Sequence, residues 1–382
     1  MLDKKVGSTL LLSLFVSGFL QTAKAELELS GYYKNLFVNS RTLSLFGSQQ
    51  SYNLDLNRLR LELKGSLAEE TTFNVQYDNE VLLGNYLKTN QFLTQKNRAS
   101  DTFFDLNKTY TDNKSVYARH GFYRAYLDTR VMDADVRIGR QRIAWGTALF
   151  WSPVDIINPF TPTQIEREER VGVDAVVVDW DYNDLSRLSL VGAVHNNSVR
   201  NTTALRWRTN IARYDLGMTV GRFRNDTMAG FDFAGQLGAV GVRGEWTRTS
   251  SPVDGQYQRI VLGADYSFPN TLLFMVELYY NGQGKSNSLD YDFDRLLSGE
   301  IQSMARRYVG ALVGYDISSL WKLENYYIKN LDDGSQFLYL RLIVSATDNI
   351  ELSVGTQLYK GNSGSEYGAL EDNVTLQVQW YF

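Results

Sequence analysis

Charged side chains recur at every second position in several stretches of this 382-residue chain, a spacing suited to electrostatic rather than covalent chemistry. Arg58, Arg60, Glu62 and Lys64 interleave with Leu59, Leu61 and Leu63. Arg206 and Arg208 interleave with Leu205, Trp207 and Thr209, and Arg243 and Glu245 sit between Val242 and Trp246. A period of two is the strand period, so each stretch carries its charges on one face and its apolar groups on the other. A guanidinium facing hydrocarbon at mid-bilayer costs about 2–4 kcal/mol, so the apolar faces are expected to meet lipid and the charged faces water. With Arg124 and Arg137 added, these ten residues form the expected lining of a hydrated lumen. They either steer charged and polar solutes or only keep the lumen wet and join neighbouring strands. Arginine outnumbers lysine 26 to 13, and a planar guanidinium serves both roles.

Other chemistries find little material. The chain has no cysteine, which removes thiolate metal sites, disulfides and redox motifs. It has two histidines, His120 and His195. His195-Asn196-Asn197-Ser198 puts a hydroxyl near an imidazole, but adjacency in sequence is not triad geometry. No enzyme, cofactor or metal is expected. A net charge of −4 with both signs mixed argues against nucleic acid.

The elements that would position the charges are strands. Segments of about 10 to 14 residues, the length that crosses a bilayer as a tilted strand, fall near 27–39, 52–66, 70–82, 115–130, 134–144, 171–182, 185–196, 202–212, 214–224, 227–235, 238–249, 257–267, 271–282, 306–316, 320–330, 335–346, 349–360 and 372–382. That count of eighteen alternates short links such as Val131-Met132-Asp133, Asn183-Asp184 and Phe268-Pro269-Asn270 with long ones at 83–114, 145–170 and 282–305. A count off by one would break the segregation. The expected fold is all-β: a transmembrane antiparallel up-and-down barrel of about eighteen strands, wide enough for an aqueous channel.

Both chain ends agree. Lys4 and Lys5, an apolar run over 6–20 and Ala23-Lys24-Ala25 read as an export signal cleaved after Ala25, leaving one domain over 26–382. At the other end Val374, Leu376, Val378, Trp380 and Phe382 share the apolar face of a final strand. This segment resembles the closing strand of bacterial outer-membrane β-barrel proteins. The resemblance implies a place in outer-membrane lipid, with Trp380 and Phe382 as the signal to the barrel-assembly machinery. Monomer and homotrimer both stay open, because subunit contacts and lipid contacts are both expected to be apolar.

The link after the fifth strand is distinctive. Gly139-Arg140-Gln141 and Trp145-Gly146 lead into Phe150-Trp151-Ser152-Pro153-Val154-Asp155-Ile156-Ile157-Asn158-Pro159, and three of the five prolines lie within ten residues. Such a loop cannot extend the sheet, and its apolar groups favour folding back into the barrel. It is expected to narrow the channel, with Trp151, Pro153, Asp155, Asn158, Pro159, Glu166, Glu168 and Glu169 as its working residues and its acids facing the wall arginines. The alternative is a buttress whose acids pair with their own neighbours Arg167 and Arg170. Strand phase puts Arg140 and Arg142 towards lipid unless a bulge at Gly139 returns them to the lumen. This string is similar to segments of Gram-negative outer-membrane porin families, and distantly to the arginine-lined eighteen-stranded alginate-export type. The expected function is passive diffusion of small hydrophilic, charged solutes. The rivals are a channel selective for an anionic polysaccharide or organic acid, a non-conducting adhesin, and a barrel hydrolase.

Overall fold

The structure, a computed structural model, describes residues 27–97, 102–159, 161–166, 169–170 and 172–382. The export signal and Glu168 lie outside them. Nineteen strands form one antiparallel sheet: β1 (Glu28–Arg41), β2 (Ser51–Ala68), β3 (Thr71–Leu83), β4 (Asn107–Asp112), β5 (Val116–Val131), β6 (Ala134–Gln141), β7 (Val173–Asn183), β8 (Ser186–Val194), β9 (Thr202–Ile211), β10 (Tyr214–Phe223), β11 (Asp226–Leu237), β12 (Val240–Ser251), β13 (Gly255–Ser267), β14 (Leu272–Asn281), β15 (Arg307–Asp316), β16 (Trp321–Asn330), β17 (Gln336–Thr347), β18 (Ile350–Lys360) and β19 (Asn373–Tyr381). Eighteen of them make a closed ring, because β1 pairs with both β2 and β19 and β3 pairs directly with β5. Closure removes the two outer edges of the ring, and β4, whose ladder is with β5 alone, keeps one open edge. The closing seam is strengthened by Phe382, whose backbone N–H and C=O both bond to Gly31, at 3.0 and 2.9 Å.

Side-chain phase follows the charges. Arg58 and Arg60 turn inward and are buried, while Leu59 and Leu63 between and beyond them are exposed on the outer face. One end of the barrel has short turns. Ala212 and Arg213 both take positive φ, 52° and 70°, as a two-residue hairpin turn requires. The other end carries the long links 84–115, 142–172, 282–306 and 361–372.

The expected strand over 134–144 stops early, since the chain leaves the sheet after Gln141 and turns into the barrel. This eight-residue strand leaves the wall short between β5 and β7. β4, which the sequence reading treated as loop, fills the space by pairing with the upper part of β5, and Thr102 bridges to His195 beyond β8.

The expected return of Arg140 to the lumen does not occur. Gly139 takes φ 128°, but the pairing runs without a shift through Arg140↔Asp174 and Gln141↔Val173. Val173 and Ala175 pack inside against Ile156 and Ile157, so Asp174 between them points outward and Arg140 opposite points with it. The segment Thr102–Leu106 covers the pair. Arg140 bonds Asp174 at 2.9 Å and donates to the Phe104 and Phe122 carbonyls, and the Phe104 N–H donates to Asp174. A buried charge is tolerated on this face because its counter-charge is buried beside it.

Asp174→Ala strands the Arg140 guanidinium, and breaking a buried pair in this way costs about 3–5 kcal/mol. Denaturant unfolding in detergent should show a lower midpoint, and the 102–112 segment should open to protease. A variant that matches the wild type in both would show the pair to be solvated.

Candidate functional site

The site is the inserted loop 142–172 and the wall it touches. Its first half lies against β12 to β16. Glu245 on β12 accepts the N–H groups of Thr147 and Ala148 through Oε1, at 2.6 and 2.8 Å, and that of Val154 through Oε2 at 3.1 Å. Glu277 on β14 accepts those of Leu149 and Phe150, at 2.5 and 2.8 Å. A Pro-broken loop has backbone donors with no ladder to join, and buried donors need acceptors; two wall carboxylates supply them. Glu245 therefore departs from its expected role, being 2% exposed and bound to the loop rather than to channel water.

Aromatic packing completes this contact. Trp151 stacks on Tyr279 at 5.2 Å and leans on Tyr308, and its indole N–H donates to Ser303. Phe150 lies against Gly310, where an added Cβ would sit 2.8 Å from the ring. Gly146 is required twice over, by φ 97° and by a space already taken by Ser152 and Glu245. The Pro153 carbonyl accepts from Arg259 at 3.1 Å. On the flank, Ile143, Ile156 and Ile157 pack on Val173, Val191, Ala204 and Met228 of the inner wall.

The second half reaches across the barrel. Glu166 pairs with Arg58 at 2.8 Å and Lys34 at 3.2 Å, and Glu169 pairs with Arg60 at 2.9 Å and accepts from the Tyr32 hydroxyl at 2.7 Å. Burial by itself would raise the Glu169 carboxyl, but Arg60, Arg58 and Lys34 outweigh it and hold it down at about 2. From β2 the ring runs through β3 and β5 to β11 before reaching β12, nine steps of eighteen. The loop is thus fastened to diametrically opposite walls. Asp155 is the exception among its acids. It pairs with the loop's own Arg170 at 2.8 Å, and burial pushes it up to about 6 against that pull. Asn158 accepts the Ile143 N–H at 2.9 Å, and Pro159 is exposed beside a cavity of about 840 Å³ at the long-loop end.

The remaining wall charges are mostly paired. Arg58 also holds Glu80 and Arg60 holds Asp78. Arg206 bonds Asp232 at 2.8 Å, Arg137 bonds Asp128 at 2.6 Å, and Arg243 bonds Asp265 and the Thr147 carbonyl. Arg124 donates to the Tyr123 and Arg170 carbonyls. Glu62 accepts from Asn74 and Gln76 and pairs with Lys64 at 3.2 Å, and Lys64 and Arg208 are exposed towards the short-turn end. Trp380 and Phe382 are exposed on the outer face with their rings 5.2 Å apart. His120 sits outside between Tyr77 and Tyr110, and His195 lines the large cavity.

Sequence reasoning missed Glu277, and with it a second inward loop at 361–372. There Glu366, pushed up to about 7 by complete burial, accepts from Met304 N–H, the Tyr308 hydroxyl and Asn330. The stretch Gly361-Asn362-Ser363-Gly364-Ser365 reads as an exposed turn, and only the isolated Glu366-Tyr367 pair hints at burial.

Comparisons place the fold among known barrels. A family model described as a protein of unknown function (DUF1302) matches residues 70–192. A search of curated proteins found no match. Among solved structures, Pseudomonas aeruginosa OccK8 (OprE) is 11% identical with a TM-score of 0.58, covering 94% of this chain and 98% of that one. OccK5 (OpdH) of the same organism is 10% identical with a TM-score of 0.59, covering 96% and 99%. The P. aeruginosa outer membrane protein opdK is 10% identical with a TM-score of 0.57, covering 94% and 98%. At these identities the likeness shows the fold, which is that of an outer-membrane porin barrel.

Glu277→Ala removes the acceptor of two buried N–H groups, at about 1–3 kcal/mol each. The barrel should stay closed, seen as heat-modifiable gel migration, while chymotrypsin gains access to Phe150 and Trp151. A loop still resistant to cleavage would mean that the carboxylate does not hold it.

Proposed function

We propose that the protein is an outer-membrane channel for passive diffusion of small hydrophilic, charged solutes, with the loop 142–172 as its constriction. The observation that carries this reading is the loop's attachment to opposite walls. One attachment is a cluster of Lys34, Arg58 and Arg60 against Glu166 and Glu169. Glu166 and Glu169 touch these bases directly, so the cluster borders the passage as a fixed rim of mixed charge, whose field discriminates solutes by charge and orientation. Arg124 on β5, Arg206 on β9 and Arg243 on β12 distribute further positive charge around the wall, the last two each beside a carboxylate. A second reading, a channel selective for an anionic polysaccharide or organic acid, draws on the cavity near the loop, whose lining includes Arg119, Arg200 and Arg224. In this scheme the export signal is removed after Ala25, and the Trp380–Phe382 end is read by the assembly machinery.

The outer face bears on oligomerisation. Asn35, Asn39, Asn53, Asp55 and Asn57 point outward, because Lys34 and Arg58 beside them point in. They form a hydrogen-bonded patch: Asn35 to Asp55 at 2.5 Å and Asn57 at 3.0 Å, and Asn39 to Asn53 at 2.6 Å. Asn35 is level with Val378, itself level with Leu352, so the patch begins within the apolar belt. Hydrocarbon is a poor partner for carboxamides and a carboxylate, whereas another subunit supplies matching donors and acceptors. We read this patch as the subunit contact of a homotrimer, polar where an apolar contact was expected.

Planar-bilayer recording tests the channel. Glu166→Gln with Glu169→Gln should shift the reversal potential in a salt gradient towards anions, and deletion of 153–162 should raise conductance. Unchanged values in both would remove the loop from the permeation path, and saturable block by an organic anion would favour the selective channel. For the oligomer, sedimentation in detergent should give a trimer that Asp55→Arg dissociates; a monomeric wild type would end that assignment.

A further inference from the structure

The outer surface from β8 to β14 is chemically one-sided. Inward positions are marked by Val191, Arg206, Thr219, Asp232, Glu245, Val261 and Glu277, all buried, so the alternate positions face out. Across these seven strands the outward positions hold neither Asp nor Glu. Two charges stand among them, Arg222 on β10 and Arg248 on β12, both close to the long-loop end of their strands. Arg222 donates to Asn225 at 3.1 Å and Arg248 to Gln256 at 2.9 Å. Neither forms an ion pair among the described residues, and the nearby Asp254 is taken by Arg295 at 2.8 Å.

Arg248 lines a groove of about 500 Å³, and Arg222 stands at its margin beside the lining. Its apolar walls are Leu190, Leu205, Val220 and Trp246, and its floor is low because Ala229, the outward residue opposite Val220, has little side chain. Hydroxyls rim it: Arg222 is level with Thr203 and Thr227, and Thr227 with Ser250. An arginine near a membrane interface is cheap by itself, so one alone would carry no meaning. Two guanidiniums and three hydroxyls over an acid-free apolar groove are a different arrangement. They match a ligand with an anionic, hydrogen-bond-accepting head and a hydrocarbon tail.

We propose that this face is a binding site for a phosphorylated, acylated glycolipid of the outer leaflet, with phosphate held by Arg222 and Arg248 and an acyl chain in the groove. Arginine presents several N–H donors in a fixed fork that suits phosphate, and the bonds to Asn225 and Gln256 use only part of each fork. The site lies outside the lumen and requires only that the barrel sit in a membrane. A failed channel assay would leave it standing.

The test is native mass spectrometry of the full-length, delipidated protein in non-ionic detergent. It is titrated with a bis-phosphorylated, hexa-acylated diglucosamine and separately with the dephosphorylated form. The wild type should favour the phosphorylated lipid by roughly tenfold or more, as two basic groups at an anionic surface would give. Arg222→Gln with Arg248→Gln should abolish that preference with the heat-modifiable migration unchanged, and Arg222→Lys with Arg248→Lys should keep part of it. Equal binding of both lipids by the wild type would overturn the proposal without recourse to any variant. So would an undiminished preference in the Gln variant, or a loss of oligomer in that variant with no change in lipid binding.

Discussion

A loop that enters a barrel must bring acceptors for its backbone or find them on the wall, and here the wall provides them. Five consecutive or near-consecutive N–H groups between Thr147 and Val154 end on Glu245 and Glu277. Carboxylates suit this task because each oxygen accepts more than one bond and the charge strengthens every bond. Once these contacts form, Phe150 and Trp151 have one place to go, and the chain is aimed across the lumen. The same constraint explains the early end of β6 and the need for β4 to complete the wall behind it.

The two fastenings differ in kind. On the β12 to β16 side the contact is dry, aromatic and backbone-directed. On the β1 to β2 side it is ionic, made by long side chains at 2.8 to 3.5 Å. The lowered pKa of Glu169 keeps that carboxylate charged through the ordinary pH range, so both fastenings operate together. Solutes would meet a structure fixed by burial on one side and by charge on the other.

The eighteen-strand ring and the inward face of Arg58, Arg60, Arg206 and Arg243 were legible because a period of two is written directly into the chain, whereas the end of β6 and the presence of β4 were not. The loop's entry was legible from its prolines and buried-type apolar residues. Partners were not. Glu166 and Glu169 find Lys34, Arg58 and Arg60 over more than a hundred positions, and nothing local encodes that meeting. Glu245 was read as a wetted wall charge because alternation gives the face of a residue but not what covers it. Arg140 shows the converse: its outward phase was correctly signalled, and the expectation of a bulge arose from treating every outward arginine as unpaired. Asn35, Asn39 and Asn53 broke the apolar alternation in plain view, but an uncharged break is easily passed over.

The ring is sealed where β1 meets β19, the first and last strands of the chain. Without that final strand the sheet has two raw margins exposed to any neighbour that offers a strand. A chain cut short before β19 therefore leaves the facing edges of β1 and β18 without a partner. Whatever escorts the polypeptide to the bilayer must shield both margins until they can join.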